Sequence, residues 1–455
     1  MAHPKTPAPI VEETTTYQNL VDASPTLLAI APPAPAKATK QSAYPHKLNV
    51  HVTSLKDCVA FGKLIKRRIE SDKKAFVFTA GSTTKPKNWT FVEKRKSPTL
   101  GSISHNERLE AKLWTDTIAF TNDPKPTYIT FSITFRSEKQ YSAFARLVKQ
   151  RLSLQTQYIY FPRATQDRST HIWKSSWNEV QPRYPIYIVS KGRADSRKTS
   201  VALERMGVPY FIVIEPQDYD EYSCVIDEKK ILVLPFSNHG DGPGRARNWC
   251  WDHSTSLGAK RHWVLDDNIT RFLRLHENKR IPVADGGIFQ IAEEFVDRFS
   301  NVPMAGFNYR FFIEPRSGYS PFIFNTRIYS CLLIENSCKH RWRGRYNEDT
   351  ILSLDVLKDG DCTIQFNAFL QEKLGTQVLG GGNTEEFYED EGTFNKSAML
   401  EAIHPDVAKI VWRFGRWHHH VDYSSFQNNK PILKKTYPKR KEGYGMSLVP
   451  ISAPK

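Results

Sequence analysis

From residue 184 onward, short apolar runs alternate with stretches whose apolar positions recur every three or four residues, the pattern of strands followed by helices. IYIVSKGR (186–193) reads as a buried strand running into a loop, and TSVALERMG (199–207) as an amphipathic helix closed by Gly207. VPYFIVIEP (208–216), KKILVLPF (229–236) and HWVLDDN (262–268) supply three further strands. GIFQIAEEFVDRFS (287–300) and NEDTILSLDVLKDG (347–360) read as helices. Regular alternation of this kind predicts an α/β layer with its functional loops at the strand C-termini.

The stretch before it has a different rhythm. LNVHVTSLKDCVAFGKLIKRRI (48–69) resembles TFSITFRSEKQYSAFARLVKQRL (130–152) at an offset of 83 residues, which aligns Ser54 with Ser137, Phe61 with Phe144 and Leu64 with Leu147. Each copy reads as an alternating strand, a helix and a second strand, KAFVF in one and TQYIYFP in the other. Lys63, Lys66, Arg67 and Arg68 in the first copy, and Arg146, Lys149 and Arg151 in the second, lie mostly off the apolar helix face. The expected organisation is a Pro/Ala/Thr-rich disordered leader (1–43), a basic α+β region with an internal repeat (44–180), the α/β domain (181–424) and a basic, extended or disordered tail (425–455).

Charge sharpens this division. Residues 1–180 carry +13, residues 181–424 carry −3 and residues 425–455 carry +6, for a net +16 over 455 residues. Basic flanks around a slightly acidic centre suit a polyanionic partner, with simple solubility as the plain alternative. No apolar run approaches the ~20 residues of a membrane span, and no basic segment followed by an apolar block marks a secretory signal. Cys58, Cys224, Cys250, Cys331, Cys338 and Cys362 form no CxxC pair. Scattered thiols fit a reducing cytoplasm, without a disulfide framework or zinc site.

The candidate chemistry gathers in the middle region. Ser190, Lys191, Gly192 and Arg193 follow the first strand, where α/β folds meet nucleotides. GDGPGRARNWCW (240–251) is a shaped loop from which Arg245, Arg247 and Asn248 open a helix, a place suited to phosphate oxygens. Trp263-Val264-Leu265 delivers Asp266, Asp267 and Asn268 to a strand end, where hard oxygen ligands suit Mg²⁺ or Mn²⁺. Glu348 and Asp349 sit at a helix start, where an acid also serves as an ordinary cap. RWHHHVDY brings His418, His419 and His420, able to complete a metal shell and equally compatible with an exposed loop. Trp249, Trp251, Trp342 and Trp417 read as core residues before base-stacking platforms.

YIVSKGR, GPGRARN, WVLDDNI, RYNEDTILSLDVLKDG, LGGGNTEEFY and GRWHHHVDY, in this order, resemble the TET-associated glycosyltransferases. These have the GT-A fold, occur largely in bacteriophages, and are linked to glycosylation of hydroxymethylated pyrimidines in DNA. The resemblance implies a GT-A glycosyltransferase-like, nucleotide-sugar-binding α/β domain, acting on double-stranded DNA in a host cytoplasm. It implies a UDP-sugar donor held by Ser190, Lys191, Gly192, Arg193, Arg247, Asn248 and Asp266, and a divalent ion on Asp267, Asn268 and one of His418 or His419. Asp349 would be the base for the acceptor hydroxyl, with Glu348 in reserve, giving inversion at the sugar carbon. LGGGN (379–383) would line the pocket. Asn268 departs from the family's acidic pattern, since an amide oxygen brings no charge, and leaves open whether Asp267 or Asn268 is the main metal contact. A protein or glycan acceptor, or a nucleic-acid-binding protein with an inactive transferase domain, are the competing expectations.

Overall fold

The computed structural model describes residues 45–66, 69, 75–78, 105–122, 129–153, 156, 158–162, 170–178, 180–313, 318–373, 392–413, 416–438 and 443–451. The leader expected over 1–43 and the LGGGN segment lie outside the described residues. In chain order the elements are β1 (His46–Val52), α1 (Leu55–Leu64), β2 (Ala75–Val77), α2 (His105–Leu113), β3 (Ile129–Phe135), α3 (Glu138–Val148), β4 (Tyr158–Phe161) and β5 (His171–Ser175). Then come β6 (Ile186–Val189), α4 (Lys198–Arg205), β7 (Phe211–Ile214), α5 (Tyr219–Ser223), β8 (Ile231–Val233), α6 (Gly244–Ser256), β9 (Arg261–Asp266), β10 (Ile269–His276) and β11 (Lys279–Pro282). The rest are α7 (Gly287–Val296), β12 (Met304–Tyr309), β13 (Phe322–Phe324), β14 (Cys331–Glu335), α8 (Glu348–Lys358), β15 (Thr363–Lys373), α9 (Gly392–Ile403), β16 (Ala408–Arg413), β17 (Arg416–Val421) and β18 (Met446–Pro450).

Two units fold around separate cores. The smaller comprises residues 32–104 and 124–168. Its sheet runs β2-β3-β1-β4, and β1 pairs β3 antiparallel with Asn49 opposite Ser132. Those two residues are also equivalent at the 83-residue offset, so an approximate two-fold axis passes between them, where Ser132 Oγ donates to Asn49 Oδ1 at 2.6 Å. The helices share their chemistry. Ser54 and Ser137 cap α1 and α3 by accepting from the amides of Asp57 and Gln140. Both helices end before a left-handed lysine, Lys66 and Lys149, each at φ 53°. Leu48, Val50, Val52, Phe131, Ile133 and Phe135 alternate inward from the sheet onto Phe61 and Phe144 of the helices.

The larger unit holds residues 105–123 and 169–455. Among the described residues its mixed sheet has the order β11-β10-β15-β12-β14-β9-β6-β7-β8, with β13 on β15. The half formed by β9, β6, β7 and β8 is parallel, and β14 is antiparallel to both β9 and β12. Buried strands explain the near-continuous apolar runs of the sequence. Helix α7 is buried along its whole length, and its Glu293 accepts from Trp263 Nε1 at 2.7 Å and from the Arg183 amide at 2.7 Å. Burial pushes the Glu293 carboxyl up to about 8, and these donors meet its oxygens inside the core.

Three segments join this unit from outside the expected α/β domain: 105–123, 169–180 and the tail. Trp114 packs against Phe295 with ring centroids 5.0 Å apart, and against Phe322, Phe366 and Phe369. The carbonyls after it accept from buried arginines: Thr115 and Asp116 from Arg298, and Ala119 from Arg274. At the other end, the tail is extended and tethered. β18 pairs antiparallel with β5, and Asn301 binds the backbone of Lys430 and Ile432. The six cysteines are free thiols. No helix among the described residues is long and apolar enough to cross a membrane.

Candidate active site

The chain builds the parallel half of the large sheet outward from β6 through β7 to β8, then returns to place β9 on the other side of β6. Loops leaving β6 and β9 therefore diverge, and a crevice opens beyond the carboxyl ends of the strands. A cavity of about 760 Å³ lies there, bounded by Ser190 and Arg193 after β6, Glu215 after β7, Phe236 after β8 and Asp267 after β9. That is room for a cofactor-sized ligand.

Of the thirteen site residues named from the sequence, ten line this cavity: Ser190, Lys191, Arg193, Arg247, Asp266, Asp267, Asn268, Glu348, Asp349 and His419. Gly192, Asn248 and His418 are not among its lining residues. Gly192 turns at φ 58° and donates its amide to Asp218. Asn248 instead bridges α6 to the loop before α8: its Nδ2 donates to the Trp342 carbonyl at 2.9 Å, and its Oδ1 accepts from the Trp342 amide at 3.0 Å. The three histidines lie on β17, paired with β16, rather than in a loop. None of the four tryptophans lines the cavity, and Trp251 and Trp342 are fully buried.

At the centre stands Arg247, buried on the first turns of α6. Its Nη1 donates to Asp349 and, at 3.1 Å, to Glu348; its Nη2 donates to Asp266 at 3.0 Å. Its guanidinium also lies over the Trp342 ring at 4.7 Å. Asp266 receives a second cation, Lys373 Nζ at 3.0 Å, and a hydroxyl from Ser330. Burial pushes the Asp266 carboxyl up, but Lys373 and Arg247 hold it well below the usual carboxylate range. Asp349 has the opposite outcome. Burial pushes it up, Arg247 opposes, and the neighbouring Glu348 and Asp266 charges add to the rise, leaving it at about 7. Two cations against three clustered carboxylates make this uneven result natural, since one acid keeps its proton most easily.

Asp349 is thus no ordinary helix cap. Asn347 occupies the N-cap in a left-handed conformation without a side-chain cap bond, and the Asp349 carboxyl faces Arg247 and the Ser330 amide. Asp267 turns toward the first loop: Ser190 Oγ donates to it at 2.8 Å and Arg193 Nη1 at 2.7 Å. Lys191 pairs with Glu215 at 3.2 Å.

Arg247 Nε and Asn268 Oδ1 are buried atoms of cavity-lining residues that lack a hydrogen-bond partner among the described residues. The first suits an anionic ligand oxygen, and the second is an acceptor suited to a hard cation. Burial and nearby cations lower the His419 pKa to about 4, so its imidazole is neutral and able to ligate a metal. Among the described residues no three His, Cys, Asp or Glu side chains gather into a metal-holding group. The unpartnered Asn268 oxygen and the neutral His419 imidazole are the cavity donors whose chemistry suits a divalent ion.

Lys373 and Ser330 escaped the sequence reading. Lys373 lies 107 residues after Asp266, at the end of a strand whose tail QEK reads as surface. Ser330 has only its left-handed backbone, φ 61°, to mark it. The glycine-rich loop has a clearer constraint. Gly242 sits at φ 83°, and a Cβ there would lie 2.5 Å from the Arg345 carbonyl oxygen. Gly242→Ala should cost about 2–3 kcal/mol, from backbone strain and a backbone clash that no side-chain motion relieves. Urea unfolding checks this: the midpoint falls while the slope is unchanged.

An α/β sheet with a charged cavity at its strand ends defines a ligand-handling domain of enzyme type. Residues 184–382 match the family model described as TET-Associated Glycosyltransferase, and over those residues the chain is similar to that family. The comparison with curated proteins found no match.

Proposed function

We propose that this protein is a GT-A-type enzyme that moves a sugar from a UDP-sugar to the hydroxymethyl group of a modified pyrimidine in double-stranded DNA, most directly 5-hydroxymethylcytosine. The observation that carries the reading is the convergence, inside a segment of the TET-associated family, of a base-like Asp349 with a buried cation cluster in one cavity. The parallel half of the sheet and the placement of the cavity support the GT-A assignment. A phage protein working in a host cytoplasm fits this chemistry.

Ser190, Lys191, Gly192 and Arg193 would position the nucleotide, with Arg193 fixed by Asp267. Asp349 takes the proton of the acceptor hydroxyl as its oxygen bonds to the sugar carbon. The bond from that carbon to the diphosphate breaks on the opposite side, the electron pair leaves with UDP, and the sugar carbon is inverted. Glu348 is the reserve base. Arg247 and Lys373 set the positive field around this step. A divalent ion, Mn²⁺ or Mg²⁺, would be held by Asn268 and His419, with Asp267 beside them, and would stabilise charge on the departing diphosphate. His418 is the alternative imidazole.

Nucleic acid is favoured over a protein or glycan acceptor by charge. The smaller unit's residues hold twenty-three Lys and Arg against six Asp and Glu, a net +17 that exceeds the +16 of the whole chain. The test is transfer measured by mass spectrometry, with UDP-sugars, Mn²⁺ or Mg²⁺, and duplex DNA with or without 5-hydroxymethylcytosine. A hexose-sized or N-acetylhexosamine-sized gain on the modified nucleoside alone is expected, with a fall on chelation. Donor hydrolysis without transfer would reject this acceptor; neither activity would favour the inactive-domain reading.

A further inference from the structure

The two-fold relation within the smaller unit separates what its fold requires from what it does not. On the helix-covered face, both copies supply large apolar residues at equivalent positions: Leu48 and Phe131, Val50 and Ile133, Val52 and Phe135. The opposite face breaks the symmetry. One half carries His51 on β1 and Tyr158 and Tyr160 on β4; their counterparts at the 83-residue offset are Thr134, Ala75 and Val77. One copy carries small side chains at these places, so the shared fold does not itself require the aromatics of the other.

Their arrangement is a contiguous platform. His51 lies directly opposite Tyr160 in the parallel β1–β4 register, with ring centroids 5.1 Å apart. Tyr158 is 5.5 Å from His51 and 5.9 Å from Tyr160. Tyr158 is 45% exposed, where a buried core ring would approach zero. Exposed Lys47 and Asn49 continue the same face along β1. This surface belongs to the unit that carries the net +17.

We infer that this sheet face binds single-stranded DNA, with unpaired bases stacked on Tyr158, Tyr160 and His51 and the phosphates drawn by the lysines and arginines of the same unit. Aromatic rings on a sheet face can stack only bases that are out of a duplex, and the unit's net positive charge supplies affinity without sequence preference. A base-modifying enzyme gains from such a platform, because a target base must leave its stack to be reached. The choice of DNA over RNA rests on the proposed function. The preference for unpaired bases rests on the face itself.

The test uses the full chain and a fluorescein-labelled, unmodified oligothymidylate, read by anisotropy, with a duplex and an oligouridylate of equal length as competitors. Tyr158→Ala with Tyr160→Ala should weaken oligothymidylate binding about tenfold or more. Tyr158→Phe with Tyr160→Phe should leave it near wild type. The salt slope should be shared by all three proteins, because the phosphate contacts are intact. In the wild-type protein, photocrosslinking to a 5-iodouracil oligonucleotide should map to the peptide holding Tyr158 and Tyr160, a readout independent of variant folding. Equal binding by the alanine variant, stronger competition by duplex, or crosslinks confined to α1 and α3 would each overturn the inference. Stronger competition by oligouridylate would overturn the choice of DNA. Donor hydrolysis, followed in parallel, reports on the transferase reading separately.

Discussion

Asp349→Asn should lower sugar transfer by about 10²–10⁴-fold, the usual contribution of a positioned base, while donor binding persists. The amide keeps the shape of the carboxyl and loses its ability to take a proton. Wild-type activity should also carry the signature of Asp349's environment. An acid held at about 7 by burial and the Glu348 and Asp266 charges is protonated, and idle as a base, below that pH. Activity per donor bound should therefore rise with pH through about 7 and level off above it. In Asp349→Asn the rise should vanish, leaving a flat residual rate. A variant that kept the wild-type rate, or the same pH limb, would move the role of base to Glu348 or to another group.

Arg247→Met should give the largest loss of stability among single changes at the site, about 3–5 kcal/mol. The arginine is buried and touches Asp266, Glu348 and Asp349 together. Its removal leaves carboxylates in a low-dielectric pocket with only Lys373 on Asp266 to balance them. The effect has a sign in pH. Without Arg247 the already raised folded-state pKa of Asp349 rises further above its unfolded value, and a raised acid contributes stability below its unfolded pKa that is lost as pH rises through the folded one. The variant should thus recover toward wild type as pH falls toward about 7, where wild-type Asp349 itself takes up its proton. Urea unfolding at several pH values reads this directly. A loss independent of pH would mean that packing of the guanidinium on Trp342, rather than its charge, is what the fold needs.

The α/β pattern was legible because strands buried on both faces read as unbroken apolar runs. Val264 and Leu265 announce β9, and Gly207 ends α4 with a left-handed turn. The acid cluster was legible for the same reason, since a buried strand that ends in Asp266 and Asp267 must deliver them somewhere. What sequence could not supply was pairing. Nothing local links Lys373 to Asp266, or tells Asn248 to bind Trp342 rather than a ligand. Trp114 looked like part of the basic region because composition is local, whereas its ring contacts lie about two hundred residues away on Phe295, Phe322, Phe366 and Phe369. The tail's composition predicts an extended or disordered segment and names no partner, whereas its described backbone groups pair with Asn301 and β5.

The stitching of residues 105–123 into the larger unit bears on how the protein can be cut. The chain completes one half of the small sheet, contributes Trp114 and its following turn to the other core, and only then returns to finish the second half. A fragment beginning near residue 170 would contain the whole family segment and still lack a plug of its own interior. Arg274 and Arg298 would face an empty groove where the carbonyls of Thr115, Asp116 and Ala119 belong. Separating the two units while keeping both intact calls for a graft in place of a truncation, with 105–122 carried along and spliced directly to 170. The boundary of the domain is thus a matter of threading as much as of position along the chain.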